Sequence, residues 1–172
     1  MEKPKIFLLS HEFPPERGGA GAYCEEIAYA ASCLGYEIEV WAPSFAKGWG
    51  GGNLFPLKLK GSQDWLCSYR LFRETQKRAA EFSGNTVHLA EPGALRAFVR
   101  FGTSPFKSAR LLITLHGSEI LNFSRFFPQG LLFRRLLRRS DRIHVLSRHN
   151  KDILLEKFPE LEPKTLLSPG AP

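Results

Sequence analysis

The chain has 172 residues, of which 43% are apolar and 24% are charged, and its formal charge at pH 7 is +7. This length holds one α/β domain with a well-filled core and is too short for two, and the composition is that of an ordinary folded protein. No apolar run approaches the roughly 20 residues of a membrane span, and the first four residues lack the basic and apolar regions of a signal peptide, so we expect a cytoplasmic protein.

The positive charge favours partners that carry phosphate, without separating nucleic acid, acidic lipid and a nucleotide substrate. Nothing resembles a nucleic-acid module such as the aromatic RNP strands, so we expect no nucleic-acid partner. Cys24, Cys33 and Cys67 lack metal-ligand spacing, and the first two lie nine residues apart on one predicted helix and so point to opposite sides. We expect reduced structural thiols and predict neither a metal site nor a bound cofactor.

A glycine-rich segment joins the first predicted strand to the first predicted helix. Residues 6–9 are a continuous apolar run, typical of a strand buried on both faces, and apolar residues recur at helical spacing from Tyr23 to Leu34. Gly18, Gly19 and Gly21 permit positive φ angles and remove side chains that would keep a ligand from the backbone. Because a helix that begins there points unpaired N–H groups at the loop, we expect an anion, most plausibly a phosphate; a simple tight turn is the alternative.

Two well-known phosphate loops do not fit this segment. A dinucleotide fingerprint that begins at Gly19 would place Cys24 where the third glycine belongs, and the second strand ends at Pro43 without the acidic ribose ligand. No Gly-Lys-Ser/Thr follows, which excludes a P-loop.

The following segments predict a parallel sheet. A second strand at residues 38–41 completes a strand–helix–strand unit, whose strands are parallel. Residues 44–53 are predicted to form a mobile surface loop, in which Trp49 either stacks on a sugar ring or is a stray aromatic side chain. Residues 54–59 predict an edge strand, since Pro56 tolerates only such a place.

The middle of the chain predicts two helices with a strand between them. The first helix runs from Gln63 to about Phe82, and its inward side chains are Trp65, Leu66, Tyr69, Phe72 and Ala80. A strand at residues 86–90 and a helix at residues 94–101 follow. Glu91, between them, is placed to complement the positive end of that second helix.

Residues 111–115 predict another buried parallel strand. His116, Gly117, Ser118 and Glu119 follow at its carboxyl end, the edge where open α/β sheets bind ligands. His116 either acts on a ligand there or hydrogen-bonds a loop carbonyl. The segment is not a nucleophile elbow, because His116 takes the place of the first glycine of G-x-S-x-G.

Residues 129–139 predict a helix with one apolar face and one face of four arginines. From Leu131 to its end at Arg139 this helix fits either peripheral contact with an acidic membrane or packing on the core with a solvated basic face. The next strand is predicted at residues 140–147, with His144 half-buried inside it. A helix at residues 148–158 follows, with Ser147 as its N-cap, and the last strand begins at residue 165. Seven strands alternating with helices predict a doubly wound, Rossmann-like parallel sheet in a three-layer α/β/α domain.

Three segments resemble family 4 glycosyltransferases of the GT-B fold. Phe13 to Gly21 follows the opening pattern of those enzymes, which is Phe-Pro-Pro, two residues, Gly-Gly, one residue and Gly. His116 and Gly117 are similar to the His-Gly or His-Asp pair at a later strand end. Asp141 to Ser147 is similar to a strand that a serine closes at the cleft. The resemblance runs from residue 5 to residue 172.

This resemblance implies that residues 1–168 form the amino-terminal, acceptor-side domain of a GT-B enzyme, that residues 169–172 begin the interdomain linker, and that the carboxyl-terminal domain is absent. It implies transfer of a sugar from a nucleotide diphosphate sugar to an acceptor hydroxyl, with retention at the anomeric carbon and usually without a bound metal. Because the family's second domain holds most of the donor, we expect the fragment alone to be inactive.

The resemblance also suggests roles for individual residues. His116 would be catalytic and would orient the transferred sugar, and Gly18, Gly19 and Gly21 would bind substrate through their backbone. Further substrate-binding candidates at the cleft are Glu91, Glu119 and Ser147.

Two other classes of function stay open. One is a nicotinamide-dependent oxidoreductase domain, which Cys24 and the missing acidic residue disfavour. The other is a non-enzymatic binding or membrane-docking module that uses the apolar and basic helix at residues 129–139.

Overall fold

A computed structural model describes residues 4–15, 18–46, 49, 51–59 and 64–168. Its seven strands form one parallel sheet in the order β3-β2-β1-β4-β5-β6-β7. The strands are β1 (Ile6–Leu9), β2 (Ile38–Pro43), β3 (Asn53–Leu57), β4 (Thr86–Leu89), β5 (Arg110–Leu115), β6 (Arg142–Val145) and β7 (Thr165–Leu167). The α-helices are α1 (Gly19–Cys33), α2 (Trp65–Lys77), α3 (Pro92–Phe101), α4 (Ser118–Ser124), α5 (Gln129–Arg139) and α6 (Arg148–Lys157).

The strand order confirms the predicted doubly wound topology. The chain starts in the middle of the sheet at β1, moves outward to β3, and returns to place β4 on the other side of β1. The connections that follow two neighbouring parallel strands can lead to opposite sides of the sheet. A crevice then forms outside the carboxyl ends of those two strands, and such sheets bind ligands there. The topology therefore places the crevice beside the ends of β1 and β4. The predicted edge position of β3 is also confirmed.

Alternate residues of the strands belong to two hydrophobic clusters, which lie on opposite faces of the sheet. Phe7 and Leu9 of β1 belong to the larger cluster, to which α2 to α6 contribute buried side chains. Leu8 belongs to the smaller cluster, where α1 contributes Cys24 and Ala28. The sheet is therefore the middle layer of an α/β/α domain.

The helix predicted from residue 63 to residue 82 is shorter, and part of its predicted inner face was wrong. The α-helix begins after Asp64, whose side chain accepts a hydrogen bond from Cys67 N at 2.7 Å, and a 3₁₀ turn at Ala79–Phe82 follows it. Trp65 is 58% exposed and Leu66 is 42% exposed, and Ala80 is exposed too. The buried residues of α2 are Cys67, Ser68, Leu71, Phe72 and Thr75, so the inward position of Phe72 is confirmed. Trp65 stacks on Tyr69 outside this buried stripe. Gln63 lies outside the described residues.

Both predictions for Trp49 were wrong, because its side chain is buried. It is 8% exposed and belongs to the smaller hydrophobic cluster. Gly52 lies directly beside the indole, since a Cβ atom added there would be 2.9 Å from the ring. Trp49 therefore anchors this segment and is not placed to stack on a sugar. Residues 47, 48 and 50 of the predicted mobile loop lie outside the described residues.

The described ranges contain no helix long and apolar enough to cross a membrane. Within them, no group of three or more histidine, cysteine, aspartate or glutamate side chains is arranged to hold a metal ion.

Candidate functional site

The amino-terminal end of α1 is open and lies next to the chain segment that leaves β1. Gly18 is the N-cap in extended conformation, with φ −144°, and as a glycine it has no side chain to cap the helix. Ala22 N donates to Gly18 O at 3.0 Å, so the amides of the three residues between them precede the first intrahelical bond. This end of the helix therefore presents N–H groups, as predicted.

The glycines at this end let other groups approach the backbone closely, and they do not adopt an unusual backbone conformation. None of Gly18, Gly19 and Gly21 has a positive φ, so the backbone freedom that these glycines permit is not used here. A Cβ atom on Gly21 would lie 3.3 Å from the carbonyl carbon of Glu12, because the helix packs tightly on that segment. A Cβ atom on Gly19 would meet nothing within 4 Å, so this residue faces open space. At Gly18 the Glu12 carboxylate lies alongside, 2.7 Å from the position of such a Cβ.

His116 follows β5 and is held on two sides. Its Nε2 lies 2.9 Å from Ala90 O, and its ring stands edge-on to Tyr23 with the ring centroids 5.1 Å apart. A carbonyl oxygen only accepts, so Nε2 carries the hydrogen, and in the neutral ring Nδ1 keeps a lone pair. No side chain or backbone group in the described ranges hydrogen-bonds Nδ1. The bond to a loop carbonyl, one of the two predicted roles, is present and uses only one ring nitrogen.

Glu119 and Asn150 fix the backbone around His116. The buried Glu119 carboxylate accepts hydrogen bonds from His116 N and from Gly117 N, the latter at 3.1 Å. Asn150 Nδ2 donates to His116 O at 2.9 Å. Gly117 has φ +135°, and a Cβ atom there would be 2.8 Å from Asn150 Oδ1, so glycine is required at this turn. The contacts of Glu119 support the loop that carries His116.

Glu91 is fully buried and caps α3, which matches its predicted complementation of the helix end. Its carboxylate accepts hydrogen bonds from Ala94 N at 2.6 Å and from His11 N at 2.8 Å. Burial alone would raise the pKa of Glu91, but His11 and the backbone N–H donors outweigh it and hold that pKa below its ordinary value. The His11 ring lies beside it, with Nδ1 3.4 Å from Oε1 but without hydrogen-bond geometry at either ring nitrogen. Glu91 thus ties the end of β1 to the start of α3.

Ser147 acts as the predicted N-cap of α6, accepting a hydrogen bond from Asn150 N at 3.1 Å. It therefore lies at the same carboxyl edge of the sheet as His116. Through Asn150, the start of α6 is linked to the backbone of His116.

A hydrogen-bond network beneath His116 was not predicted. Thr114 Oγ1 lies 2.8 Å from His88 Nε2 and 3.2 Å from the Tyr23 hydroxyl, which is 3.0 Å from His144 Nδ1. Burial, followed by the charges of His144 and His116, lowers the pKa of His88 to about 3. A threonine within the apolar run of β5 was the signal in the sequence, since a buried hydroxyl needs polar partners.

The helix α5 packs its apolar face on the core. Phe133, Leu136 and Leu137 are buried. On its basic face the Nε atoms of Arg134 and Arg138 both bind Glu160 Oε1, at 2.8 and 3.0 Å. The core-packed arrangement, one of the two predicted for this helix, is therefore present.

The strand order defines a Rossmann-like domain, and the chain shares this fold with solved structures of the GT-B fold. The family model described as Glycosyltransferase Family 4 matches residues 17–170, and the chain belongs to that family.

Solved structures agree with this fold. Alr3699/HepE of Anabaena, in complex with UDP and glucose, matches with a TM-score of 0.65 at 14% identity, over 98% of this chain and 45% of that one. An α-glucosyltransferase in complex with UDP and a 13-mer DNA matches with a TM-score of 0.52 at 13% identity, over 96% of this chain and 40% of that one. The chain thus spans less than half the length of these structures. A search of curated proteins gave no significant match.

Proposed function

We propose that this chain is the acceptor-side half of a retaining glycosyltransferase that transfers a sugar from a nucleotide diphosphate sugar to an acceptor hydroxyl. One observation carries the proposal: the Tyr23 ring of α1 touches the His116 ring at the end of β5. This contact supports a crevice in which the open helix end and the imidazole line the same wall. Membership of Glycosyltransferase Family 4 supports the reaction class.

The helix end suits the charge that develops during transfer. Departure of a nucleoside diphosphate builds negative charge on its phosphate oxygens while the sugar ring becomes positive. Fixed N–H dipoles near those oxygens lower the barrier because they need no reorganisation. The backbone at Gly18 and Gly19 would supply such dipoles, and the open space at Gly19 would let a phosphate approach. Gly21 would keep the helix end close to the strand.

His116 would act as an acceptor of a hydrogen bond from a sugar hydroxyl. Its Nε2 is committed to Ala90 O, which leaves Nδ1 for the ligand. In this role the residue orients the transferred sugar and need not remove a proton. Glu119, Glu91 and Ser147 would act through the loops that they fix, since each accepts hydrogen bonds from backbone N–H groups.

The donor would be held mostly by protein beyond this chain, so the chain alone would not catalyse sugar transfer. This part of the proposal rests on the length comparison, in which the chain spans under half of each solved structure. Because the HepE structure contains UDP and glucose, UDP-glucose is the first donor to test.

A titration separates this proposal from its two rivals. The chain is titrated with UDP- and GDP-sugars, with NAD and NADP, and with acidic liposomes. We expect a weak response to a nucleotide sugar that Gly19→Ala reduces. Saturable NAD binding would favour an oxidoreductase domain instead, and liposome binding alone would favour a docking module. Restoration of transfer when the full-length enzyme is used would establish the reaction.

A further inference from the structure

A second cavity lies between α3 and α5, away from the crevice. Its volume is about 560 Å³, within the range of sites for small molecules. The carboxyl-terminal ends of α3 and α5 form it, together with the segment that leads into β5. It therefore lies at the amino end of β5, whereas His116 follows the carboxyl end. The six residues of β5 separate the two places by roughly 20 Å.

Four cationic side chains and no carboxylate line this cavity. They are Arg100 of α3, Lys107, and Arg135 and Arg139 of α5. Arg139 is held in place by hydrogen bonds to backbone carbonyls and lies 3.6 Å from Asp141. For Arg100, Lys107 and Arg135, no acidic side chain of the described residues lies within ion-pair distance. Three of the four charges are thus not neutralised by the protein.

A fifth cationic side chain increases the positive charge beside the cavity. Arg96 lies one helical turn before Arg100 on α3, with its guanidinium 5.7 Å from the centre of the Phe123 ring. Its Nε is buried without a hydrogen-bond partner. Burial, followed by the charge of Arg100, holds the pKa of Arg96 below its ordinary value. The two arginines repel each other, and a bound anion would offset this repulsion.

Helix dipoles explain only part of this arrangement. Arg100 and Arg139 lie in the last turns of their helices, where cations complement the negative helix end. Lys107 belongs to no α-helix, and Arg135 lies a full turn before the end of α5. The cavity also has apolar walls, to which Phe101 and Leu132 contribute, and Leu132 is 38% exposed. Complementation of helix ends requires neither the concave shape nor these walls.

We propose that this cavity binds a phosphate group attached to an apolar or aromatic body. Guanidinium groups match phosphate oxygens through paired hydrogen bonds, and arginines from two different helices line this cavity together with a lysine. The apolar walls take the remainder of the ligand. The site is separate from the crevice and does not depend on the proposed reaction.

The test measures the binding of two probes, each of which presents a phosphate group attached to an apolar body. Phenyl phosphate is the soluble probe, and vesicles of phosphatidylcholine with and without phosphatidic acid present the same group on a lipid surface. The test variant is Arg100→Gln with Arg135→Gln, and Arg135→Gln alone serves if the double variant does not fold. Arg73→Gln, which removes an exposed arginine of α2 outside the cavity, is the matched control. His116→Ala controls for binding in the crevice.

We expect saturable binding of at least one probe, weakened about tenfold or more in the double variant because charged hydrogen bonds are lost. Arg73→Gln and His116→Ala should bind as the unchanged protein does. Binding of phenyl phosphate identifies a soluble ligand, and binding of phosphatidic acid vesicles alone identifies a lipid head group. Binding of neither probe, or an equal loss in Arg73→Gln, would overturn the proposal.

Discussion

The ring of Tyr23 stands edge-on against the ring of His116, with 5.1 Å between the centroids and 84° between the planes. The Tyr23 hydroxyl is held by Thr114 at 3.2 Å and by His144 at 3.0 Å. The start of α1 is thereby locked to the ends of β5 and β6. Tyr23 therefore fixes the position of the open helix end relative to the imidazole of His116.

Replacing Tyr23 separates the role of its ring from that of its hydroxyl. Tyr23→Phe removes the hydrogen bonds to Thr114 and His144, and we expect the free energy of unfolding to fall by about 1 kcal/mol. Tyr23→Ala also removes the half-buried ring, and we expect a loss of about 2 to 3 kcal/mol. Urea denaturation measures both. Equal losses in the two variants would mean that the ring contributes nothing against His116.

The glycines at the start of α1 offer a matched pair of substitutions. Gly19→Ala enters open space inside a helical turn, so the free energy of unfolding should stay the same or rise by about 0.5 kcal/mol. Gly21→Ala crowds the backbone of Glu12 and Phe13 and should lower it by about 1 kcal/mol. In the full-length enzyme Gly19→Ala should nevertheless weaken binding of the nucleotide sugar. If both variants bind the donor normally, the helix end does not contact the phosphates.

The buried His88 predicts a pH dependence of stability. Its folded-state pKa, lowered to about 3 by burial and then by His144 and His116, lies below the ordinary value of 6.5. The unfolded chain therefore binds more protons, and stability that is present above about pH 6.5 is lost as the pH falls toward 3. Between pH 7 and pH 5 we expect this residue to account for up to about 2 kcal/mol.

Chemical denaturation of His88→Gln at both pH values measures this contribution, because glutamine does not titrate. The difference between pH 7 and pH 5 should shrink in His88→Gln. It should persist in His149→Gln, since His149 is exposed on α6. A difference that is unchanged in His88→Gln would assign the acid sensitivity to other groups.

The three thiols should react at different rates. Cys33 is exposed, whereas Cys24 and Cys67 are buried. Burial, followed by the charge of Glu91, raises the pKa of Cys24, which further lowers its reactivity. Iodoacetamide should therefore modify Cys33 alone in the folded protein, with all three modified in urea, as mass spectrometry would reveal. Fast labelling of Cys24 would mean that α1 opens readily.

The sequence was sufficient to predict the sheet, because β1, β2 and β5 are largely apolar runs and the other strands are short segments with apolar residues bounded by turns or helices. It also placed His116 at a strand end and explained Ser147 and Glu91 as helix caps. It did not predict the burial of Trp49 or the exposure of Trp65. An aromatic residue in a helix or a loop can be buried or exposed, and tertiary packing decides which. The role of Tyr23 was missed for a related reason. Its spacing fitted an apolar helix face, and its hydroxyl partners come from strands far along the chain.

The most direct measurement of the central claim compares turnover and stability of His116→Ala in the full-length enzyme, with His149→Ala as the control. Loss of one hydrogen bond to the transferred sugar should lower turnover about 10- to 100-fold, while the free energy of unfolding falls by no more than about 1 kcal/mol. Unchanged turnover in His116→Ala would contradict the claim and would leave His116 as a residue that only ties its loop to Ala90.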